Sequence, residues 1–304
     1  MITRTLLLLL LLSMVILPQD TIPASQLRTV ATGLSFPEGP VNDGTGKIYF
    51  SNCYSDWIGM LLGDAVTTWV KKPTKHINFG KTNGLLYTKD GHLIACDYGE
   101  GKILHFNSDG ECKVLIDSDG EKRFNRPNDL ALDQYGNFYF TDPKSYDPSV
   151  TDGRVFYFSG NENRLTLAAT DLSFPNGIAV SPDGSRLYVC ESAKHQVSVF
   201  DITGEGLVNK QKFADIPWGD PDGIAFDEQG NLYVAVFGGG RVIQLASDGT
   251  VKKVIMTPGK KPSNIEFGGD GNRTLYITEC ETNAIYSVPV AVSGFFFGGE
   301  DHGK

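Results

Sequence analysis

One sequence pattern occurs six times along the chain, and it constrains the fold more than any other feature. Each copy has a polar residue, in most copies followed by glycine, then a short apolar stretch, a turn and an aromatic-rich strand. The copies are PEGPVNDGTGKIYFSN, TNGLLYTKDGHLIACD, PNDLALDQYGNFYFTD, PNGIAVSPDGSRLYVCE, PDGIAFDEQGNLYVAV and SNIEFGGDGNRTLYITE. The leading polar residues are Glu38, Asn83, Asn128, Asn176, Asp222 and Asn264. Their spacing of 42 to 48 residues is that of a four-stranded propeller blade. The repeat predicts a six-bladed β-propeller.

The two ends of the chain suggest how the ring of blades closes. The sixth copy is short, because only a tail rich in glycine and phenylalanine follows AIYSVPV. Residues 26–31 (QLRTVA) precede the first copy and have no blade of their own. We expect them to supply the outer strand of the last blade, which removes an exposed sheet edge. No helix pattern follows the leader and no linker interrupts the repeats, so residues 25–304 are expected to form one all-β domain.

The N-terminus resembles a secretory signal. Residues 6–17 are apolar except for one serine, and Arg4 precedes them. The run is too short to span a bilayer comfortably. We expect residues 1–24 to be a signal peptide cut after Ala24, and the protein to be secreted or periplasmic. Ile22 is large for the position three residues before a cut, so an uncleaved N-terminal anchor is the alternative.

Charge and cysteine content narrow the function classes further. The net charge is −9 and no block of lysine or arginine is present, which argues against a nucleic-acid partner. The five cysteines lack the CxxC spacing of zinc or redox sites, and an odd number leaves at least one unpaired. We expect them to be small buried side chains in strands, although export would permit a disulfide.

The six leading polar residues are expected to meet in one ring. The first strand of each propeller blade runs beside the central channel, so these side chains should project into one of its ends. Carboxylate and amide oxygens with two formal negative charges suit a hard divalent cation, calcium before magnesium. Asn-Gly and Asp-Gly are also common turn dipeptides, and simple turn formation is the alternative. Glu38 favours the metal site, because glutamate is a poor turn residue yet occupies the same register.

Longer segments carry a resemblance to a known family. FPEGP, TNGLLYTKDG, FNRPNDLALDQYGNFYFTDP, FPNGIAVSPDG and DPDGIAFDEQGNLYVAVFGGGRV resemble, in order, the blade openings of the SMP-30/gluconolactonase/luciferin-regenerating-enzyme-like family of six-bladed calcium lactonases. The resemblance implies that Glu38, Asn176 and Asp222 hold a catalytic divalent metal, Ca²⁺ or another such as Mg²⁺, Mn²⁺ or Zn²⁺. It implies that Asn128 contacts metal or substrate and that Arg126 contacts substrate.

Two departures from the family pattern leave the substrate open. Asn52 stands where many gluconolactonases have an aspartate, and CDYG stands where a histidine often follows the acidic residue. Asp142 and Glu191 are the last residues of the second strands of their blades. For both, capping of the strand end is favoured over a role in the channel.

These observations favour hydrolysis of a small-molecule lactone. A cation bound by Glu38, Asn128, Asn176 and Asp222 would polarise the ester carbonyl. Asp222 would also act as general base, with Asp129 and Asp142 as the next candidates. The alternatives are a phosphotriesterase of the diisopropyl-fluorophosphatase type and a non-catalytic secreted binding propeller.

Overall fold

Six antiparallel sheets, arranged in chain order around a ring, confirm the predicted propeller. The computed structural model describes residues 20–63, 65–71 and 79–297. Each innermost strand contacts that of the next blade, and the last contacts the first. The predicted leader at residues 6–17 and the end of the chain at residues 298–304 lie outside the described residues. None of the helical turns in the described part is long and apolar enough to cross a membrane.

The strands are numbered in chain order. Two strands precede the blades: β1 (Thr21–Ile22) and β2 (Arg28–Ala31). Blade one contains β3 (Pro37–Asn42), β4 (Lys47–Asn52), β5 (Trp57–Leu62) and β6 (Ala65–Lys71). Blade two contains β7 (Thr82–Tyr87), β8 (Leu93–Asp97), β9 (Lys102–Phe106) and β10 (Cys112–Ile116). Blade three contains β11 (Leu130–Leu132), β12 (Phe138–Asp142), β13 (Gly153–Ser159) and β14 (Arg164–Leu172).

The second half of the ring has the same construction. Blade four contains β15 (Pro175–Val180), β16 (Arg186–Glu191), β17 (Gln196–Thr203) and β18 (Gly206–Asp215). Blade five contains β19 (Asp220–Phe226), β20 (Leu232–Phe237), β21 (Arg241–Leu245) and β22 (Val251–Met256). Blade six contains β23 (Pro262–Gly268), β24 (Thr274–Glu279) and β25 (Ala284–Pro289). The described residues also contain four short 3-10 turns: Ala24–Gln26, Cys53–Ser55, Ser192–Lys194 and Asp270–Asn272.

The N-terminal strand β2 closes the ring, as predicted. It pairs antiparallel with β25 of blade six, where Thr29 lies opposite Tyr286. The strand begins at Arg28 and not at residue 26, because Ala24–Gln26 form a 3-10 turn. Both ends of the chain therefore contribute to the last blade.

A second N-terminal strand, β1, was not predicted. Its two residues pair in parallel with the outer strand of blade five, β22. The backbone N–H of Val254 donates to the Asp20 carbonyl at 3.1 Å, and Lys253 Nζ lies 3.0 Å from the Asp20 carboxylate. A cut after Ala24 would remove this strand together with the leader.

The hydrophobic core consists of six clusters, each between two neighbouring blades. Between blades six and one, for example, Ile48 and Phe50 pack with Tyr276 and Ile285. The apolar side chains of each central strand thus pack against adjacent sheets, and the ring has no single centre. All five cysteines are free thiols, and four are buried, consistent with small apolar side chains: Cys53, Cys96, Cys190 and Cys280.

The tail after β25 covers one end of the central channel. The backbone N–H of Phe295 donates to the Phe226 carbonyl at 2.8 Å, and Asn272 Nδ2 donates to the Gly294 carbonyl at 2.7 Å. Residues 295–297, which we call the aromatic plug, line a cavity with apolar residues of the innermost strands and with Glu266. This cavity lies at the end of the channel opposite the leading residues of the repeats.

Candidate functional site

The structure brings five of the six leading repeat residues together around one open pocket. All five are buried, with 4 to 8% of each residue exposed: Glu38, Asn83, Asn128, Asn176 and Asp222. The sixth, Asn264, does not line the pocket. Its side-chain oxygen accepts the N–H of Ile265 at 2.8 Å, and its side chain hydrogen-bonds to Asp129.

The glycines that follow these residues allow the innermost strands to approach closely. A β-carbon on Gly177 would overlap the carbonyl of Asp222 in the next blade, and one on Gly84 would lie 2.7 Å from the carbonyl oxygen of Asn128. Asn83, Asn176 and Asp222 lie within strands. The alternative that these dipeptides are turns is therefore wrong, and the glycines serve backbone packing.

Buried hydroxyl groups of the inner two strands fix the backbone around the pocket. Ser51 Oγ donates to the carbonyl of Asn83 in the next blade at 2.7 Å, and Thr141 Oγ1 donates to the carbonyl of Asn176 at 2.8 Å. Ser263 Oγ donates to the Pro37 carbonyl at 2.8 Å across the junction of the last and first blades. These buried bonds hold the pocket residues in register before any ligand binds.

The acidic residues that end the second strands anchor the loops above the pocket. Asp142 accepts the backbone N–H of Arg126 at 2.8 Å and a side-chain bond from Arg154 at 2.7 Å. Glu191 accepts the N–H of Ser173 at 2.9 Å. The capping role is thus confirmed for Asp142 and Glu191. Since neither lines the pocket, Asp142 is not placed to act as the base.

The two sequence departures lie at the ends of second strands: Asn52 occupies the anchoring position, whereas Tyr98 directly follows it in CDYG. Asn52 Oδ1 accepts the N–H of Ser35 at 2.6 Å, so the amide does what a carboxylate does in other blades. Asp97, in the CDYG segment, accepts the N–H of Gly80 at 2.9 Å. Blade five has Val236 here, and its loop has no such anchor. The first departure keeps the anchoring bond, and the second places Tyr98 in the lining of the pocket.

Negative charge is concentrated in and below the pocket. Burial raises the pKa of Glu38 and of Asp222; repulsion from Asp129 adds to the effect at Glu38, and repulsion from Glu38 adds to it at Asp222. Burial also raises the pKa of Asp129 to about 7. No lysine or arginine lines the pocket in the part of the chain that the structure describes. The arrangement leaves two buried carboxylates without a cationic partner in the lining.

The donor set fits an oxygen-coordinated cation. Among residues 20–63, 65–71 and 79–297, no three or more His, Cys, Asp or Glu side chains form a group that could hold a metal ion. The leading residues in the pocket supply two buried carboxylates and three amide side chains, a set of hard oxygen donors that Ca²⁺ accepts with irregular geometry. Glu38, Asn128, Asn176 and Asp222 are the residues that would hold such an ion.

Arg126 lies outside the lining of the pocket. Its side chain is exposed, and its Nη1 donates to Tyr98 Oη at 3.4 Å. Tyr98 itself lines the pocket. Arg126 thus contacts a residue of the lining, and its predicted contact with substrate stays a prediction.

The sequence analysis missed the aromatic wall of the pocket. Six aromatic residues line a cavity of about 200 Å³ above the polar floor: Phe36, Tyr54, Tyr98, Tyr146, Phe174 and Phe237. Phe36 and Phe174 each stand two residues before a leading residue of the repeat. The signal that could have found them is therefore the same periodicity, read two positions earlier.

Two of these aromatic residues have a strained backbone. Phe36 and Phe174 have φ values of 56° and 50°, in the left-handed region that bulky residues rarely adopt. The backbone N–H of Phe36 donates to Asn283 Oδ1 at 3.0 Å, and the Phe174 carbonyl accepts the N–H of Ser192 at 3.2 Å. Such strain persists where surrounding bonds enforce it, typically at ligand sites. In this protein, both residues with a strained backbone contribute their rings to the pocket wall.

The long connection between β12 and β13 closes one side of the pocket. Tyr146 in this connection packs edge-on against Phe174, with ring centroids 5.0 Å apart. Its hydroxyl hydrogen-bonds to Asp220, which contributes with burial to a raised Tyr146 pKa. His195 Nε2 lies 2.9 Å from Asp220 Oδ1. Asp220 thus joins a loop of blade three to blade four.

Cys53 also lines the pocket, but burial raises the pKa of its thiol and Glu38 adds to the effect. The thiolate is the nucleophilic form, so this cysteine is not an activated nucleophile.

Fold and site together define a six-bladed propeller with an oxygen-lined pocket at one end of its channel. Residues 36–281 match the family model described as the SMP-30/gluconolactonase/LRE-like region, and the chain belongs to this family.

Individual relatives span most of the chain. It is 30% identical over 284 residues to a gluconolactonase of Zymomonas mobilis, covering 84% of this chain and 79% of the relative. It is also 30% identical over 276 residues to the diisopropyl-fluorophosphatase of Loligo vulgaris, covering 82% and 87%. Among solved structures, a gluconolactonase of Xanthomonas campestris aligns with a TM-score of 0.77 at 27% identity, covering 86% and 89%.

Proposed function

We propose that the protein hydrolyses lactones with the help of a divalent cation, calcium before other metals. The observation that carries the proposal is the pocket floor, where two buried carboxylates and three amides converge and no cationic side chain joins them among the described residues. Family membership and relatives named gluconolactonase support the lactone as substrate class. The predicted leader supports export, which we propose as the location.

A cation bound by Glu38, Asn128, Asn176 and Asp222 supplies a Lewis acid for the ester carbonyl. The residues themselves then have distinct tasks. Glu38 and Asp222 provide the negative charge of the site. Asn83 lines the same pocket and can donate a hydrogen bond from Nδ2 to a substrate oxygen.

Asp222 is the proposed general base. Its carboxylate accepts a proton from the attacking water and returns it to the alkoxide that leaves when the lactone ring opens. Asp129 is the remaining alternative, although it lies outside the lining and its Oδ1 accepts the N–H of Leu130 at 3.0 Å.

The test compares two amide substitutions over a range of calcium concentrations. Asp222→Asn is expected to stay inactive when calorimetry shows the site to be full, because loss of a general base costs about 10²- to 10⁴-fold in rate. Glu38→Gln is expected to recover much of its activity at high calcium, since its main defect is affinity. Glu121→Gln, which changes an exposed carboxylate that does not line the pocket, is the matched control.

Four results would contradict the proposal in different ways. Equal rescue of both variants by calcium would make Asp222 a ligand only. Full activity after removal of divalent cations by a chelator would exclude the metal. A wild-type protein inactive on every lactone but active on a phosphotriester would favour the second candidate, which the relative from Loligo vulgaris supports by its name. Inactivity on both would favour a binding propeller.

A further inference from the structure

The pocket wall is built from equivalent positions of different blades. One series stands two residues before the leading residues, and it contributes three lining side chains: Phe36, Phe174 and Asp220. A second series directly follows the anchoring position at the end of the second strand, and it contributes four: Cys53, Tyr98, Ser192 and Phe237. The residue types at these positions vary between blades, so the repeat itself does not require an aromatic wall.

Several polar groups of this wall already have partners within the protein. Ser192 Oγ donates to the Pro221 carbonyl at 2.7 Å, and the Tyr146 hydroxyl bonds to Asp220. The Tyr98 hydroxyl accepts a bond from Arg126. A ligand above the floor therefore meets ring faces and edges more than free hydrogen-bonding groups. Binding a row of hydroxyls here would remove them from water with few replacement partners, which costs free energy.

Two cationic side chains contact tyrosines of the wall, although neither of them lines the pocket. Lys81 Nζ lies 4.4 Å from the ring centroid of Tyr54, and the Arg126 guanidinium lies 5.8 Å from that of Tyr98. Such cation–π contacts hold aromatic rings in place. Both positive charges therefore lie against aromatic rings of the wall.

Phe237 shows that the blade fold does not itself require an aromatic residue at this position of the pocket wall. Its ring centroid lies 6.3 Å from that of Phe36 on the neighbouring side of the wall. The equivalent residue of blade four is Ser192, which lines the same pocket. A small polar residue is therefore compatible with the blade structure at this position.

We propose that the pocket selects lactones that carry an apolar substituent, aromatic or alkyl, over polyhydroxylated lactones, an inference that rests on the lactone hydrolysis proposed above. The ester lies at the polar floor. The substituent lies against Phe36, Phe174 and Phe237.

The first measurement is kcat/KM for three lactones of one ring size: δ-valerolactone, a phenyl-substituted δ-valerolactone and D-glucono-δ-lactone. The phenyl compound is expected to exceed the unsubstituted lactone by about tenfold or more, as hydrophobic pocket contacts typically do. D-glucono-δ-lactone is expected to fall below the phenyl compound. A higher kcat/KM for the polyol lactone would overturn the inference and leave lactone hydrolysis intact.

Phe237→Ser places the residue of blade four in blade five. It is expected to lower kcat/KM for the phenyl compound by about tenfold while changing that for δ-valerolactone much less. A merely structural role would lower both equally, and that result would contradict the specificity role. Tyr135→Ser is the matched control, since Tyr135 is 73% exposed and outside the pocket.

A binding measurement separates this inference from the proposed chemistry. Calorimetry with the calcium-loaded protein compares two unreactive lactams, a phenyl-substituted δ-valerolactam and D-gluconolactam. Tighter binding of the phenyl lactam supports the apolar preference even if no lactone is hydrolysed, a case in which only the proposed reaction fails. Equal or tighter binding of the polyol lactam overturns the preference.

Discussion

Replacing Glu266 by glutamine tests whether the aromatic plug shields the lower end of the channel from water. Glu266 lines the plugged cavity, and burial, with a smaller contribution from Asp129, raises its pKa from 4.5 to about 8. The backbone N–H of Phe267 donates to Glu266 Oε1 at 2.7 Å. Glutamine keeps an acceptor for this bond and removes the ionisation.

The sign and size of the effect follow from the raised pKa. The folded protein keeps the Glu266 proton at pH values where the unfolded chain has released it, so stability falls as pH rises from the unfolded pKa through the folded one. Between pH 4.5 and pH 7 the cost reaches about 3 kcal/mol for a fully buried group. Because Glu266 is partly exposed, we expect about 2 kcal/mol after allowing for solvent.

The assay is denaturant unfolding of the wild-type protein and Glu266→Gln at several pH values. The variant is expected to match the wild-type protein near pH 4.5 and to exceed it by about 2 kcal/mol at pH 7. Glu205→Gln, an exposed carboxylate, controls for loss of charge alone. Deleting residues 295–304 should shrink the difference, because water then reaches Glu266. A difference that does not change with pH would refute the reasoning.

Other outcomes concern the chain ends and the glycines. Removal of residues 1–24 is expected to lower the unfolding free energy by about 1 kcal/mol relative to a chain that begins at Asp20, because β1 is lost. Removal of residues 1–32 should open blade six and cause aggregation, which light scattering detects. Equal behaviour of the two truncated chains would contradict closure by β2. Exported protein should begin between about residues 19 and 26 by mass spectrometry, and only full-length cytoplasmic protein would contradict export. Gly177→Ala should lower the unfolding free energy by about 2 kcal/mol or more, and Gly204→Ala in open space much less; equal losses would contradict the close approach of inner strands.

Periodicity made the blades and the pocket floor predictable. Glu38 and Asp222 could be placed at one end of the channel because equivalent positions of a repeat occupy equivalent places in the ring. The strand at Arg28–Ala31 could be predicted because the last repeat lacked one. By contrast, β1 has only two residues, which carry no strand pattern of their own, so only its pairing with β22 reveals it.

The pocket wall could not be predicted because its residues belong to different parts of the repeat. Phe36 and Tyr146 come together through a strained backbone and a long connection, neither of which has a simple sequence pattern. Asn264 could not be predicted either, because it has the register of a leading residue but does not line the pocket. Asp129 occupies the position that holds a glycine in four other blades, and it hydrogen-bonds to Asn264 inside the channel.

The construction of blade six determines when this protein can finish folding. Arg28 and Ser287, which pair in the last blade, are 259 residues apart in sequence. The N-terminal strand is therefore synthesised first and finds its partner last, after nearly the whole chain is available. Contacts between such distant residues form slowly, because a long loop must close before they stabilise anything. A prematurely terminated chain cannot form this pairing and keeps an open sheet edge, which distinguishes incomplete molecules from finished ones.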